Sequence, residues 1–130
     1  MRKVFISHSY GDREYAEKLR QALADLAIES AFDPVEPASG EILSAKLRES
    51  IQAADAVVVL LSEHALSSKW VMFELGVAEG LRKNTVPVIL STVDVDKLDF
   101  LERDRAVLDA RRLSPEEAAE RIRTLAAIQD

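Results

Sequence analysis

The residues able to do chemistry in this 130-residue chain gather in three places. Ser7-His8-Ser9-Tyr10-Gly11-Asp12 follows one apolar run, Ser62-Glu63-His64 follows another, and Glu74 stands inside a third. Hydroxyls, an imidazole and carboxylates can bind a ligand, orient it and stabilise charge. Glu74 is the anomaly. Trp70, Phe73, Val77 and Leu81 are spaced as one apolar helical stripe, and Glu74 falls within it. A carboxylate on an apolar face is costly unless it is paired or lines a cavity. Two readings are open. Glu74 sits at the edge of the stripe and reaches water, a lysine or an arginine, or it points into a crevice.

Several chemistries are excluded. The chain has no cysteine, so it has no disulfide, thiolate metal site or cysteine nucleophile, which fits a reducing compartment. It carries no Gly-x-Ser-x-Gly elbow, no Gly-x-Gly-x-x-Gly fingerprint and no P-loop. His8 and His64 lack the clustered partners of a metal site, and no cofactor is expected. The net charge is −6, and the basic stretches Arg82-Lys83 and Arg111-Arg112 are short, which argues against nucleic acid as partner. No apolar run approaches the roughly 20 residues of a membrane span. The N-terminal run Val4-Phe5-Ile6 is too short for a signal peptide, so a cytoplasmic protein with no membrane partner is expected.

Two kinds of segment alternate along the chain. Residues 3–7, 28–32, 56–61, 85–91 and 106–110 are short, apolar and β-branched. The third of these is apolar throughout, as a strand buried on both faces of a parallel sheet must be. Between them lie helical patterns. Tyr15, Leu19, Leu23 and Leu26 form one stripe, Leu43, Leu47 and Ile51 another, and residues 67–81 a third. Ser114-Pro115-Glu116-Glu117 has the form of a capping box, with Ala118, Ile122 and Leu125 as the buried face behind it. Residues 93–105 suggest a loop or short helix, and residues 33–40, with two prolines and a glycine, a surface loop. The chain therefore reads as one α/β domain over residues 1–130. Its expected architecture is a flavodoxin-like three-layer sandwich: a five-stranded parallel sheet of order 2-1-3-4-5 with helices on both faces. Ligands of such sheets bind at the carboxyl ends of the strands where the order reverses, here between the first and third. The three chemical stretches converge on that crevice.

Phe5-Ile6-Ser7-His8-Ser9 followed by Asp12, the loop around Gly40, and Trp70-Val71-Met72-Phe73-Glu74 together resemble the first box, the BB loop and the Trp-x-x-x-Glu segment of Toll/interleukin-1 receptor (TIR) domains. The resemblance covers nearly the whole chain and implies the flavodoxin-like fold. It also implies an activity, because many members cleave NAD+ at the nicotinamide–ribose bond. Glu74 then maps onto the catalytic glutamate. Ser7, His8, Ser9, Gly40 and Trp70 map onto the substrate-binding surroundings, although packing also explains a lone Trp such as Trp70. His8 and Ser9 stand where some catalytic relatives carry an aromatic and a basic residue. The Phe-Trp box of animal receptor TIR domains is absent near the last helix. The implied partners are NAD+ or NADP+ as substrate and other TIR domains through self-association, in bacterial defence or virulence signalling. The alternative is a non-catalytic TIR module acting through TIR–TIR contacts alone.

The same architecture hosts response regulators and flavodoxins. The former need an acidic cluster after the first strand and an aspartate after the third, where this chain has Ser-His-Ser and Ser-Glu-His. Residues 7–11 are a poor flavin-phosphate loop.

Overall fold

The computed structural model describes residues 2–31, 44–66, 69–91 and 107–129. In chain order the elements are β1 (Arg2–Ser7), a 3-10 turn (Tyr10–Asp12), α1 (Arg13–Asp25), β2 (Ile28–Ala31), α2 (Ser44–Gln52), β3 (Ala56–Leu61), α3 (Glu63–Leu66), α4 (Lys69–Gly80), β4 (Asn84–Ile89), β5 (Leu108–Asp109) and α5 (Pro115–Gln129). The five strands are parallel, in the order β2-β1-β3-β4-β5 that the sequence leads one to expect. The loop at 33–40 and the segment at 93–105 lie outside the described residues.

Strand alternation divides the core into two layers. Val58 and Leu60 of β3 join Val4 and Ile6 of β1 against α1 and α5. Val57, Val59 and Leu61 join Phe5 against α2 and α4. Every residue of β3 is buried, because the central strand is covered on both faces. The same alternation fixes the site. Phe5 and Ser7 are two apart and share a face, so the Ser7 hydroxyl emerges in the layer that contains α4.

The helix expected at 67–81 is α4, Lys69–Gly80, and a short helix that the sequence pattern does not announce, α3, precedes it at Glu63–Leu66. The buried face of α4 is also rotated from the expected stripe. It is built from Val71, Glu74, Leu75 and Ala78, while Val77 and Leu81 are only partly buried. The side chains of Trp70 and Phe73 are outside the described part. The sequence KWVMFELGVAEG is apolar around most of its circumference, so periodicity alone does not orient it.

The last helix starts as its sequence specifies. Ser114 Oγ accepts from the Glu117 amide at 3.1 Å, and the Glu117 carboxylate accepts from the Ser114 amide at 3.1 Å. Ala118 and Ile122 are buried behind it, with Leu125 partly so. Ser114→Ala removes one of the two bonds and should lower unfolding free energy by about 1 kcal/mol, read by urea denaturation.

Candidate functional site

The candidate site forms at the carboxyl ends of β1 and β3. Glu74 is only 1% exposed, although it is a glutamate in the middle of an apolar helix face. Ser7, fully buried at the last residue of β1, donates its hydroxyl hydrogen to Glu74 Oε1 at 2.8 Å. Of the two readings open from the sequence, the edge position in water is excluded. The carboxylate points inward and meets the strand end. Where the carboxyl is ionised, such a hydrogen bond contributes about 1.5–3 kcal/mol, part of what burial costs.

His8 and Ser9 follow as the chain leaves β1, and both are buried. His8 Nδ1 lies 3.5 Å from the carbonyl oxygen of Ile6. Burial holds its imidazole pKa below the usual value, with Arg13 adding to the depression and the Ile6 carbonyl and Asp12 opposing it. Ser9 precedes the 3-10 turn but makes no side-chain cap bond to it. Its hydroxyl donates to Asp12 Oδ2 at 2.9 Å. Tyr10, by contrast, is 69% exposed at the rim. Of the expected residues, Ser7 meets Glu74 directly, while Ser9 bonds to Asp12 and His8 is buried beside the Ile6 carbonyl. Gly40 and the Trp70 side chain lie outside the described residues.

A buried network that residue spacing does not reveal joins the two strand exits. Asp12 is buried and accepts hydrogen bonds from both Ser9 and Ser62. Ser62 Oγ accepts from the Ala65 amide at 3.1 Å, which starts α3. Gly11 lies against the ring of His64, and a Cβ there would stand 2.7 Å from His64 Cγ. The signal in the sequence was Asp12 itself, an acid three residues after a serine at a strand exit. Its second partner lies 50 residues away and could not be read from spacing.

Among the described residues no group of three histidines or acids converges as metal ligands. A cavity of about 510 Å³ lined by Asp109, Arg111 and Arg112 lies beyond the edge strand β5, away from Glu74. Arg111 is engaged there by Asp109, at 2.9 Å through Nε and 2.7 Å through Nη2.

Two outcomes follow from this packing. Gly11→Ala must displace the root of the His64 ring, and should lower stability by about 1–3 kcal/mol in chemical denaturation. For His8, the unfolded chain binds a proton near pH 6.5 and the folded chain only below that. Stability is thus fully present above pH 6.5 and falls as the pH drops toward the folded pKa, at up to about 1.4 kcal/mol per pH unit. Denaturation between pH 7.5 and 5.5 should show this slope, and His8→Gln should reduce it.

The family model for the TIR domain matches residues 4–126. No curated protein matches the chain significantly. Among solved structures, the TIR domain heterodimer of RPS4 and RRS1 aligns with a TM-score of 0.69 at 19% identity, covering 99% of this chain and 96% of that one. The TIR domain of the Toll-related receptor TRR-2 from Hydra magnipapillata aligns at 0.66 with 15% identity, over 94% and 96% of the two chains. The CMP N-glycosidase BcmB from Clostridium botulinum aligns at 0.65 with 13% identity, over 94% and 99%. Identities this low carry the fold and no more. No helix among the described residues is long and apolar enough to cross a membrane. With the family match spanning most of the chain, and the expected sheet order found beneath it, this chain belongs to the TIR domain family.

Proposed function

We propose that this TIR domain is an NAD+ glycohydrolase in which Glu74 stabilises the charge that develops on the ribose. One observation carries the reading: a buried glutamate, hydrogen-bonded by Ser7, at the sheet end where ligands of this fold bind. TIR domains include both NAD+ glycohydrolases and adaptors without activity. A carboxylate held inside the core at this position is the feature expected of the former. The similar fold of a CMP N-glycosidase is compatible with N-glycosidic chemistry on this architecture.

The chemistry suits one carboxylate. The nicotinamide nitrogen is cationic, so the N–C1′ bond breaks with its electron pair going to the ring, which leaves neutral. Positive charge appears on the ribose, as in glycoside cleavage. Water then adds to C1′ and loses a proton, giving ADP-ribose, whereas an internal nucleophile of the substrate gives a cyclic isomer. At an effective dielectric near 20, opposite unit charges about 4 Å apart interact by roughly 4 kcal/mol, or about a thousandfold in rate. In this reading Ser7 fixes the carboxylate, and His8 and Ser9 form the wall beside it. Gly40 and Trp70 are assigned to substrate through the family motif, and NADP+ is an equivalent substrate class. A carboxylate 1% exposed meets substrate only when its cover opens. In this reading self-association of TIR domains supplies the occasion, and the activity serves defence or virulence signalling in the cytoplasm.

Concentrated protein incubated with NAD+ should release nicotinamide, measured by chromatography, and the rate should rise more than linearly with protein concentration. Glu74→Gln should lower that rate by about a thousandfold while leaving the fold intact. No release from folded, assembled wild-type protein would reject the proposal and favour a module that acts only through TIR–TIR binding.

A further inference from the structure

We propose that Asp12 is a positioning residue for the Glu74 site, its buried carboxylate tying the exit of β1 to the exit of β3 through Ser9 and Ser62. The catalytic part of this inference rests on the proposed glycohydrolase reading, and the structural part does not. The backbone register between β1 and β3 ends at Ser7 and Val59. Beyond that pair β1 gives way to the 3-10 turn, while β3 runs on to Leu61 beside β4 before entering α3. Ser7, the residue that holds Glu74, is therefore the last of its strand to be fixed by the ladder.

Asp12 supplies the link that the ladder no longer provides. Ser9 Oγ donates to Oδ2 at 2.9 Å, and Ser62 Oγ donates to the same oxygen. The Asp12 amide donates back to the Ser9 carbonyl at 3.0 Å, closing the turn. Ser62 has one hydroxyl hydrogen and gives it to Asp12, so the Ala65 amide takes a lone pair of the same oxygen. Every donor direction in this chain of bonds is fixed. All three side chains are buried, where a charged acceptor strengthens each bond and water does not compete. The contact of Gly11 with His64 brings the same two segments together a second time. Cutting a tether should let the β1 exit loosen, admit water to His8 and displace Ser7 from Glu74.

Ser62→Ala removes one tether and keeps the Asp12 charge, while Ser62→Thr keeps the hydroxyl. Two readouts decide the matter. In an active enzyme, Ser62→Ala should lower kcat for nicotinamide release by about tenfold or more with KM changed by less than about threefold, and Ser62→Thr should restore it. Independently of turnover, the NMR titration of His8 should move upward toward 6.5 in Ser62→Ala as burial is relieved, and stay in place in Ser62→Thr. The charged groups acting on His8, namely Asp12, Arg13 and Glu17, are unchanged in both variants. The chain has two histidines, so the signal is readily assigned. If the wild type is inert, the glycohydrolase reading fails and the titration alone decides the tether. An unmoved His8 midpoint in folded Ser62→Ala overturns the tether. A moved midpoint with unchanged kcat overturns the positioning role. Should Ser62→Ala not fold, Ser9→Ala cuts the other tether and is read by the His8 titration alone, because Ser9 also belongs to the proposed substrate wall.

Discussion

A carboxylate enclosed in the apolar layer between a parallel sheet and a helix is the constraint around which this site is built. Glu74 occupies a position on α4 flanked by Val71, Leu75 and Ala78 on the same buried face. Desolvating such a group costs several kcal/mol, and hydrogen bonds must return part of that. Ser7 provides one from the last residue of β1. The arrangement works because of parity. Phe5 and Ser7 face α4 and Ile6 faces α1, so shifting the strand by one residue would bring Ile6 to the glutamate. The identity of the residue at one strand end and the register of that strand together give the buried carboxyl a partner there.

Around this contact the polar groups are arranged in two tiers. Ser7 and Glu74 form the inner pair. Asp12, Ser9 and Ser62 form an outer network that closes the gap left where the β1–β3 ladder stops. The topology explains why both are found here. At a switch point the chain leaves two adjacent strands in opposite directions, and the backbone groups beyond the ladder need other partners. Hydroxyls and a carboxylate meet that need and remain available to define the wall of a ligand site. His8, between Ser7 and Ser9 in sequence, is buried, and burial disposes its imidazole to stay neutral.

Much of this was legible in the residues. Strand and helix patterns gave the sheet order, and Ser114 and Glu117 gave the start of α5 down to its two reciprocal bonds. The apolar run 56–61 declared itself a central strand because no face of it could meet water. Glu74 stood out as a charge in an apolar segment, which is a local signal. The phase of α4 did not, because a helix apolar on most sides has no preferred face until its neighbours are known. Nor did the link from Asp12 to Ser62, whose two ends are brought together only by the crossover through β2, α2 and β3. Local patterns specify elements, and long-range polar contacts appear only once the elements are assembled.

The dependence of the site on the Ser7–Glu74 contact is open to direct measurement by a double-mutant cycle. Ser7→Ala, Glu74→Met and the double variant would be unfolded in urea beside the wild type. Methionine fills a similar volume and accepts no strong hydrogen bond, so the cycle isolates the pair. The account predicts a coupling of about 1.5–3 kcal/mol, as for a buried hydrogen bond to an ionised group. Additivity of the two substitutions to within about 0.5 kcal/mol would contradict it, and would mean that Glu74 is held in the core by something other than the end of β1.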